Sequence, residues 1–290
     1  MDISNNSSSV ARSCWKKYYW RYKQRLTPIK QSSALSLGKA VHNAFDFYYK
    51  GAPIKETVND LAKSFDDEIA QSSPEESESL VLSKYTALGM FTQCPFLGAK
   101  FDKIESEKSF RVPLYRGVTF IGRIDGLVNK NGDWWVRELK TTGQTLRQFN
   151  QRISSSAQGT AYVWAAKQLG YDVKGIMYDF IKKPLLRKRV SEDQNQFGTR
   201  IMADYKARPD FYFGQIYSYR SDMEIEIWKN DAISLAKEIR GKGRTKRYYR
   251  NTANCYNYNS ECPYKKICFE EKPDNLMLQL YFKYKGQPIK

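Results

Sequence analysis

Residues 122–140, GRIDGLVNKNGDWWVRELK, constrain the fold more than any other part of the chain. Asn131-Gly132 is a two-residue turn signal, because both central positions of a tight hairpin take positive φ and these residues tolerate it best. With that turn, Lys130 faces Asp133, and counting outward sets Asp125 opposite Glu138. Directly opposed side chains have Cβ atoms about 4.5–5.5 Å apart, where two carboxylates oppose folding unless something neutralises them. A divalent cation would do so. Strand side chains alternate with period two, so Lys140 shares the face of Glu138. A four-residue loop keeps all three on that face, whereas an odd-length loop without a bulge does not. Trp134-Trp135-Val136 and Leu139 on one strand, with Ile121 and Ile124 on the other, place apolar residues at both parities. The hairpin is therefore expected to be buried on both faces, where an ionised group needs a partner or a metal. The alternative is a solvated charged face.

The chain of 290 residues has 48 Lys+Arg against 31 Asp+Glu, a formal net charge of +17. Its length supports a sizeable core without disulfide staples. The charge favours a polyanionic partner, with nucleic acid ahead of an anionic membrane. Basic and aromatic residues interleave in WKKYYWRYKQR (15–25) and RTKRYYR (244–250), a mixture that suits single strands, whose phosphates meet cations and whose bases stack on rings. The opening MDISNNSSSV has neither the basic nor the apolar region of a secretory signal, and no run approaches about 18 apolar residues. A cytoplasmic protein without a membrane segment is expected.

Helical spacing predicts helices over about 14–22, 33–50 and 56–100, the last interrupted at Ser72-Ser73-Pro74. Strands are expected near 106–115, 118–128 and 134–141, then a helix over about 154–169. Strands near 174–182 and 185–190, a helix over about 193–206, a strand near 213–219 and a helix over about 222–240 follow. GKGRTKRYYR after them reads as an exposed connection.

Cys255, Cys262 and Cys268 lie close together, and Cys14 lies near the other terminus. Four soft thiolates suit tetrahedral zinc or an iron-sulfur cluster. One isolated ligand and a loose trio lean towards a four-iron four-sulfur (4Fe-4S) cluster, with Zn2+ as the alternative. A clasp of that kind closes a long loop, which cross-link models value at about 4–5 kcal/mol. Cys94 reads as a small buried hydrophobe.

Together these features resemble the PD-(D/E)XK superfamily, and within it the iron-sulfur RecB-like exonucleases, including CRISPR-associated and phage relatives. Cys14-Trp-Lys-Lys-Tyr-Tyr-Trp-Arg-Tyr22 is similar to the family's opening cysteine motif, with Trp15 where Pro is usual. Gly38-Lys-Ala-Val-His42 is similar to its GxxxH helix, Gly122-Arg-Ile-Asp125 to its aspartate strand, and Glu138-Leu-Lys140 to its ExK. Gln158-Gly-Thr-Ala-Tyr162 matches QxxxY, and Cys262-Pro-Tyr-Lys-Lys-Ile-Cys268 closes the series. The gap from Cys255 to Cys262 is longer than in many relatives.

The resemblance implies a restriction-endonuclease-like α/β core with a mixed central sheet flanked by helices, a helical insertion, and an iron-sulfur clasp joining the two terminal segments. The expected division is an N-terminal segment 1–30, a nuclease core 31–250 with the insertion at about 52–100, and a cluster segment with tail, 251–290. His42, Asp125, Glu138 and the carbonyl of Leu139 are the implied ligands of Mg2+ or Mn2+. Asp125, Glu138, Lys140, Gln158 and Tyr162 are the implied catalytic group, and Cys14, Cys255, Cys262 and Cys268 the implied cluster ligands. Glu107 is read as structural. The expected activity is metal-dependent DNA exonucleolysis, preferring single strands, in recombination, repair or CRISPR adaptation, with a helicase or adaptation protein as partner. The competing readings are a catalytically silent nucleic-acid-binding module and a scaffold with a structural metal site.

Overall fold

The computed structural model describes residues 1–29, 33–257, 260–270 and 273–284. It divides the chain into two compact units. The first is Met1–Gln31, Arg111–Gly122 and Glu226–Lys290, and the second is Ser32–Phe110 and Arg123–Ile225.

The chain begins with β1 (Asp2–Ile3), α1 (Asn5–Ser13) and α2 (Trp15–Tyr18), which runs into a π-helical turn (Tyr19–Lys23) before β2 (Leu26–Pro28). Three long helices follow, α3 (Ser33–Tyr49), α4 (Ile54–Ala70) and α5 (Pro74–Thr92). Next come β3 (Lys103–Tyr115), β4 (Val118–Lys130) and β5 (Asp133–Thr142), then α6 (Leu146–Ile153), α7 (Ala157–Gln168) and β6 (Val173–Lys182). After α8 (Gln194–Ala207), α9 (Pro209–Tyr212) and β7 (Phe213–Tyr219), the long α10 (Asp222–Thr245) begins. Short elements complete the chain: β8 (Tyr256–Asn257), β9 (Ser260–Glu261), α11 (Lys265–Cys268), α12 (Asn275–Tyr281) and β10 (Phe282–Tyr284).

In the second unit the Asn-Gly turn forms as its chemistry dictates, with φ of 56° at Asn131 and 86° at Gly132. It sets the register of β4 against β5, from Lys130 opposite Asp133 to Gly126 opposite Arg137. β5 then runs parallel to β6, and β6 antiparallel to β7, so the sheet is mixed. The parallel step needs a long crossover, and α6 and α7 supply it. Val136, Arg137, Glu138 and Leu139 are all buried, as a strand covered on both faces requires. Leu139 and Ile181 pack into an apolar layer with Val41 and Phe45 of α3, Phe65 of α4, Phe91 of α5 and Ile201 of α8. Helix α7 is buried from Gly159 through Ala166. Its Gln158 meets Glu138 and Lys140, which alternate with Leu139 on the strand.

In the first unit β1 lies parallel to the start of β4, pairing Asp2 with Thr119. β10 pairs antiparallel with β2, from Phe282 opposite Pro28 to Tyr284 opposite Leu26. Trp20, Leu26, Tyr264, Ile267 and Phe282 form a small core there, and Tyr264 donates its hydroxyl to the carbonyl of Leu26 at 2.8 Å.

Four local expectations are corrected. No strand forms at 185–190: Pro184 lacks a backbone donor, β7 takes the free edge of β6, and Leu185 and Val190 are exposed. Helix α6 forms where the spacing predicts no element, and Thr145 and Gln148 build the capping box that marks its start. The first helix starts at Asn5 rather than near Cys14, because Ser4 and Ser7 cap a polar segment of low intrinsic propensity. Helix α10 extends to Thr245, so only the later part of the basic segment is irregular.

Candidate active site

Helix α3 approaches β5 closely where it carries Gly38; a Cβ on that residue would lie 3.3 Å from the Thr141 hydroxyl. One turn later His42 is aimed at Asp125 in the middle of β4. Its Nδ1 lies 3.3 Å from Asp125 Oδ2. The same carboxylate oxygen accepts the backbone N–H of Leu139 at 2.9 Å. The regular ladder ends at Gly126 opposite Arg137, and one residue further the Asp125 side chain takes over the bond to the neighbouring strand.

Glu138 is 2% exposed. Its Oε1 accepts from Lys140 Nζ at 2.6 Å and from Gln158 Nε2 at 2.8 Å. Lys140 also donates to Gln158 Oε1 at 3.0 Å, and Gln158 donates to the Tyr162 hydroxyl at 3.2 Å. One amide therefore ties Glu138, Lys140 and Tyr162 together. The other oxygen of Glu138, Oε2, is buried with no hydrogen-bond partner.

Burial raises the Glu138 carboxyl to about 7; Asp125 pushes the same way, while Lys140 and His42 hold it down. Burial works against ionising Asp125 as well, but the hydrogen bond and charge of His42, the Leu139 N–H and Lys140 outweigh it and leave the group below its usual range. Burial also disfavours charge on His42 and Lys140, yet Asp125 raises His42 and Glu138 raises Lys140. Two carboxylates of opposite tendency thus sit within electrostatic reach, the arrangement expected where ionisable groups are tuned for chemistry.

A small cavity of about 10 Å3 adjoins Asp125 and His42, with Asp46, Ser106, Glu107 and Arg137 in its walls. Its size matches one water-sized body. Asp46 lies four residues after His42 on α3, a helical spacing that could have revealed it. It accepts from the Ser106 hydroxyl at 2.7 Å and from Lys50 at 2.7 Å. Glu107 has φ of 52°, is paired with Arg123, and is raised by burial. No sequence motif marks the strained backbone at this wall.

Among the described residues no group of three or more His, Cys, Asp or Glu side chains is arranged to hold a metal ion. The donor chemistry nevertheless fits a hard divalent cation. Carboxylate oxygens are its usual ligands, the borderline Mn2+ also accepts an imidazole, and a cation beside Glu138 would meet the otherwise unpartnered Oε2.

In the first unit some of the predicted cysteines lie within electrostatic reach of one another, without forming, among the described residues, a group arranged to hold a metal. Burial raises the Cys262 thiol, and Cys14 and Cys255 add to the shift; burial raises Cys268, and Cys14 adds again. The Asn251 N–H donates to Cys14 Sγ at 3.3 Å, and the side-chain amides of Asn251 and Asn254 donate to the Ser13 carbonyl. Arg250 Nε donates to the Cys268 carbonyl at 2.9 Å, and the Cys262 N–H to the Cys255 carbonyl at 2.9 Å. A set of four thiols is the donor chemistry of an iron-sulfur or zinc site. Cys94 belongs to the other unit's apolar core, where burial pushes its thiol up to about 12. No helix among the described residues is long and apolar enough to cross a membrane.

The sequence model of the PD-(D/E)XK nuclease superfamily matches residues 3–269. No curated protein matches the chain.

Proposed function

Because the chain belongs to the PD-(D/E)XK nuclease superfamily, we propose that it is a divalent-metal-dependent DNA exonuclease acting on single strands, with the His42, Asp125, Glu138 and Lys140 group as its catalytic centre. The observation that carries this reading is the buried Glu138, held on one oxygen by Lys140 and Gln158 and unpartnered on the other, beside an Asp125 fixed by the Leu139 N–H. His42, Asp125, Glu138 and the Leu139 carbonyl would hold Mg2+ or Mn2+. Bound there, the cation would acidify water and offset charge gathering on the phosphoryl oxygens.

The side chains supply the rest. Asp125 is oriented by two partners before any substrate arrives, which is the preorganisation that electrostatic catalysis needs. The Lys140 ammonium, a third exposed, orients the attacking water and stabilises the developing negative charge. Gln158 and Tyr162 keep that ammonium and Glu138 in register. Cleavage of end-labelled single-stranded and duplex DNA, with Mg2+ and with Mn2+, tests the proposal. A stepwise ladder from one end of the single strand is expected; no cleavage with either ion overturns it.

Lys140→Ala is expected to lower the single-turnover cleavage rate by about two to three orders of magnitude, the usual cost of one preorganised donor. Lys140→Arg is not expected to restore it, because a planar guanidinium cannot occupy the place of a compact ammonium between Glu138 and Gln158. Undiminished cleavage by the alanine variant would remove Lys140 from the mechanism.

The four cysteines of the first unit are proposed to hold a 4Fe-4S cluster as a structural clasp between residue 14 and residues 255–268. The Asn251 N–H on Cys14 Sγ is the sulfur-directed hydrogen bond that such clusters attract. Protein purified without oxygen is expected to be brown, with iron and acid-labile sulfide in equal amounts and four of each per chain at most. Colourless protein containing zinc would overturn the cluster and leave the clasp. DNA repair, recombination or CRISPR adaptation is the proposed setting, with a helicase supplying single strands.

A further inference from the structure

We propose that the cysteine-bearing unit has its own binding surface for single-stranded nucleic acid, formed where the turn at residues 15–25 meets the segment 242–250. The proposal shares its substrate class with the function above but does not depend on hydrolysis or on the catalytic carboxylates Asp125 and Glu138.

The fold joins two segments that are far apart in sequence. The Lys16 N–H donates to the Tyr249 carbonyl at 3.0 Å. The rings of Tyr19 and Tyr248 lie 5.1 Å apart. Lys242 Nζ sits 4.5 Å from the Tyr249 ring and 5.6 Å from that of Trp15, and Lys16 Nζ sits 5.1 Å from Tyr19 and 4.9 Å from Trp20. Tyr249 is 60% exposed. Neither segment contains an acidic residue. Among the described residues, Lys16, Arg21, Lys242, Arg244, Lys246 and Arg247 form no ion pair with a carboxylate. Uncompensated cations crowded together work against folding, so their clustering points to a polyanion.

Three further features choose among polyanions. Neither segment contains Leu, Ile, Val, Met or Phe, so the surface offers a bilayer no aliphatic side chain to insert. Tyr249 is exposed and Tyr19 and Tyr248 are half-buried among these cations, as a strand of alternating bases and phosphates requires, while Trp15 and Trp20 are buried beneath them. The aromatic run Tyr19–Lys23 is a π-helical turn, a rare form that often marks functional positions. Beside Trp15 and Tyr249 opens a cavity of about 490 Å3 with Arg12, Asp231 and Glu238 in its walls. Its carboxylates repel phosphate and accept from the amino groups of a base, so a base enters the cavity while the backbone follows the cations.

The test is fluorescence anisotropy of an end-labelled oligodeoxycytidylate, about 20 nucleotides long, titrated with the full chain in EDTA. The protein is expected to bind it more tightly than a duplex of the same length. Tyr248→Ala/Tyr249→Ala should weaken binding about tenfold or more. The backbone bond from Lys16 survives that change. Lys246→Gly/Arg247→Ala, at exposed positions and with glycine where φ is 54°, should lower the slope of log affinity against log salt by about 0.7 for each phosphate no longer neutralised. Wild-type affinity in the first variant and an unchanged slope in the second overturn the proposal. So do equal binding of duplex and single strand, and sedimentation with phosphatidylserine vesicles by a protein that ignores the oligonucleotide. Because EDTA removes the metal, binding without any cleavage in Mg2+ or Mn2+ would sink only the nuclease proposal. Cleavage by a protein whose binding both variants leave intact would sink only this one.

Discussion

Glu138→Gln should abolish at least about three orders of magnitude of metal-dependent DNA cleavage, a loss of roughly 4 kcal/mol in transition-state stabilisation. The substitution keeps the shape of the side chain and its bond from Gln158, but removes the charge that holds Lys140 at 2.6 Å and leaves no anionic oxygen at the Oε2 position. Stability should move the other way. Burial already lifts this carboxyl to about 7, so its ionised form is costly at neutral pH and a neutral amide is better tolerated. The expected pair of results is lost cleavage with an equal or higher midpoint of thermal unfolding, the trade that a charge buried for function implies. Cleavage at the wild-type rate would sink the role assigned to Glu138. A sharply lower midpoint would mean that its charge holds the fold together.

The hairpin was legible because one dipeptide set its register. Asn131-Gly132 specified the pairing from Lys130 to Gly126, and alternation then put Glu138 and Lys140 on the face that Gln158 covers. The expected continuation to a directly paired Asp125 and Glu138 does not form in the ladder. The paired ladder stops at Gly126, and Asp125 bonds the Leu139 N–H instead, a side-chain substitution that period-two counting cannot anticipate. Residues 183–190 defeated the pattern for a related reason. They are rich in aliphatic and basic residues, but Pro184 interrupts them and the edge they would need pairs with β7.

Within the site, motifs revealed residues whose spacing follows a helix or strand period. Gly38 and His42, Glu138 and Lys140, and Gln158 and Tyr162 are all of this kind. The structure places each pair on a common face. Ser106, Glu107 and Arg123 depend on contacts across β3 and β4, and their local sequence carries no sign of that proximity. Three cysteines in so short a span pointed to Cys255, Cys262 and Cys268, and the electrostatic influence of Cys14 on Cys262 and Cys268 shows only that the terminal segments approach one another. Whether the cysteines hold a metal or cluster is a separate question, and colour and metal content answer it.

Arg137→Met should destabilise the chain by about 3–5 kcal/mol, because it strands Asp179 in the core without its cation. Asp179 is fully buried and Arg137 is 5% exposed. Arg137 Nε donates to Asp179 Oδ2 at 2.6 Å, and its guanidinium lies 4.1 Å from the Tyr49 ring, so a carboxylate and an aromatic face share one cation. Burial is the largest influence and disfavours charge on Arg137, but the charge and hydrogen bond of Asp179 together with Tyr49 and Cys94 outweigh it. Such a pair is expensive to break yet gives little over an apolar pair of similar volume. Arg137→Met/Asp179→Leu should therefore recover most of the loss, short by about 1 kcal/mol because Gln215, which donates to Asp179 Oδ1 at 2.9 Å, loses its acceptor. The midpoint of urea unfolding measures all three chains. A single variant costing less than about 1 kcal/mol would show that the pair is not buried as the geometry has it. Arg137 directly precedes Glu138 and faces the opposite side of β5, but it lines the small cavity beside Asp125 and His42, so the double variant should cut DNA more slowly than wild type while Arg137→Met cuts poorly through loss of folded protein. A double variant that is stable and inert would instead make the ion pair part of what holds Glu138 in place.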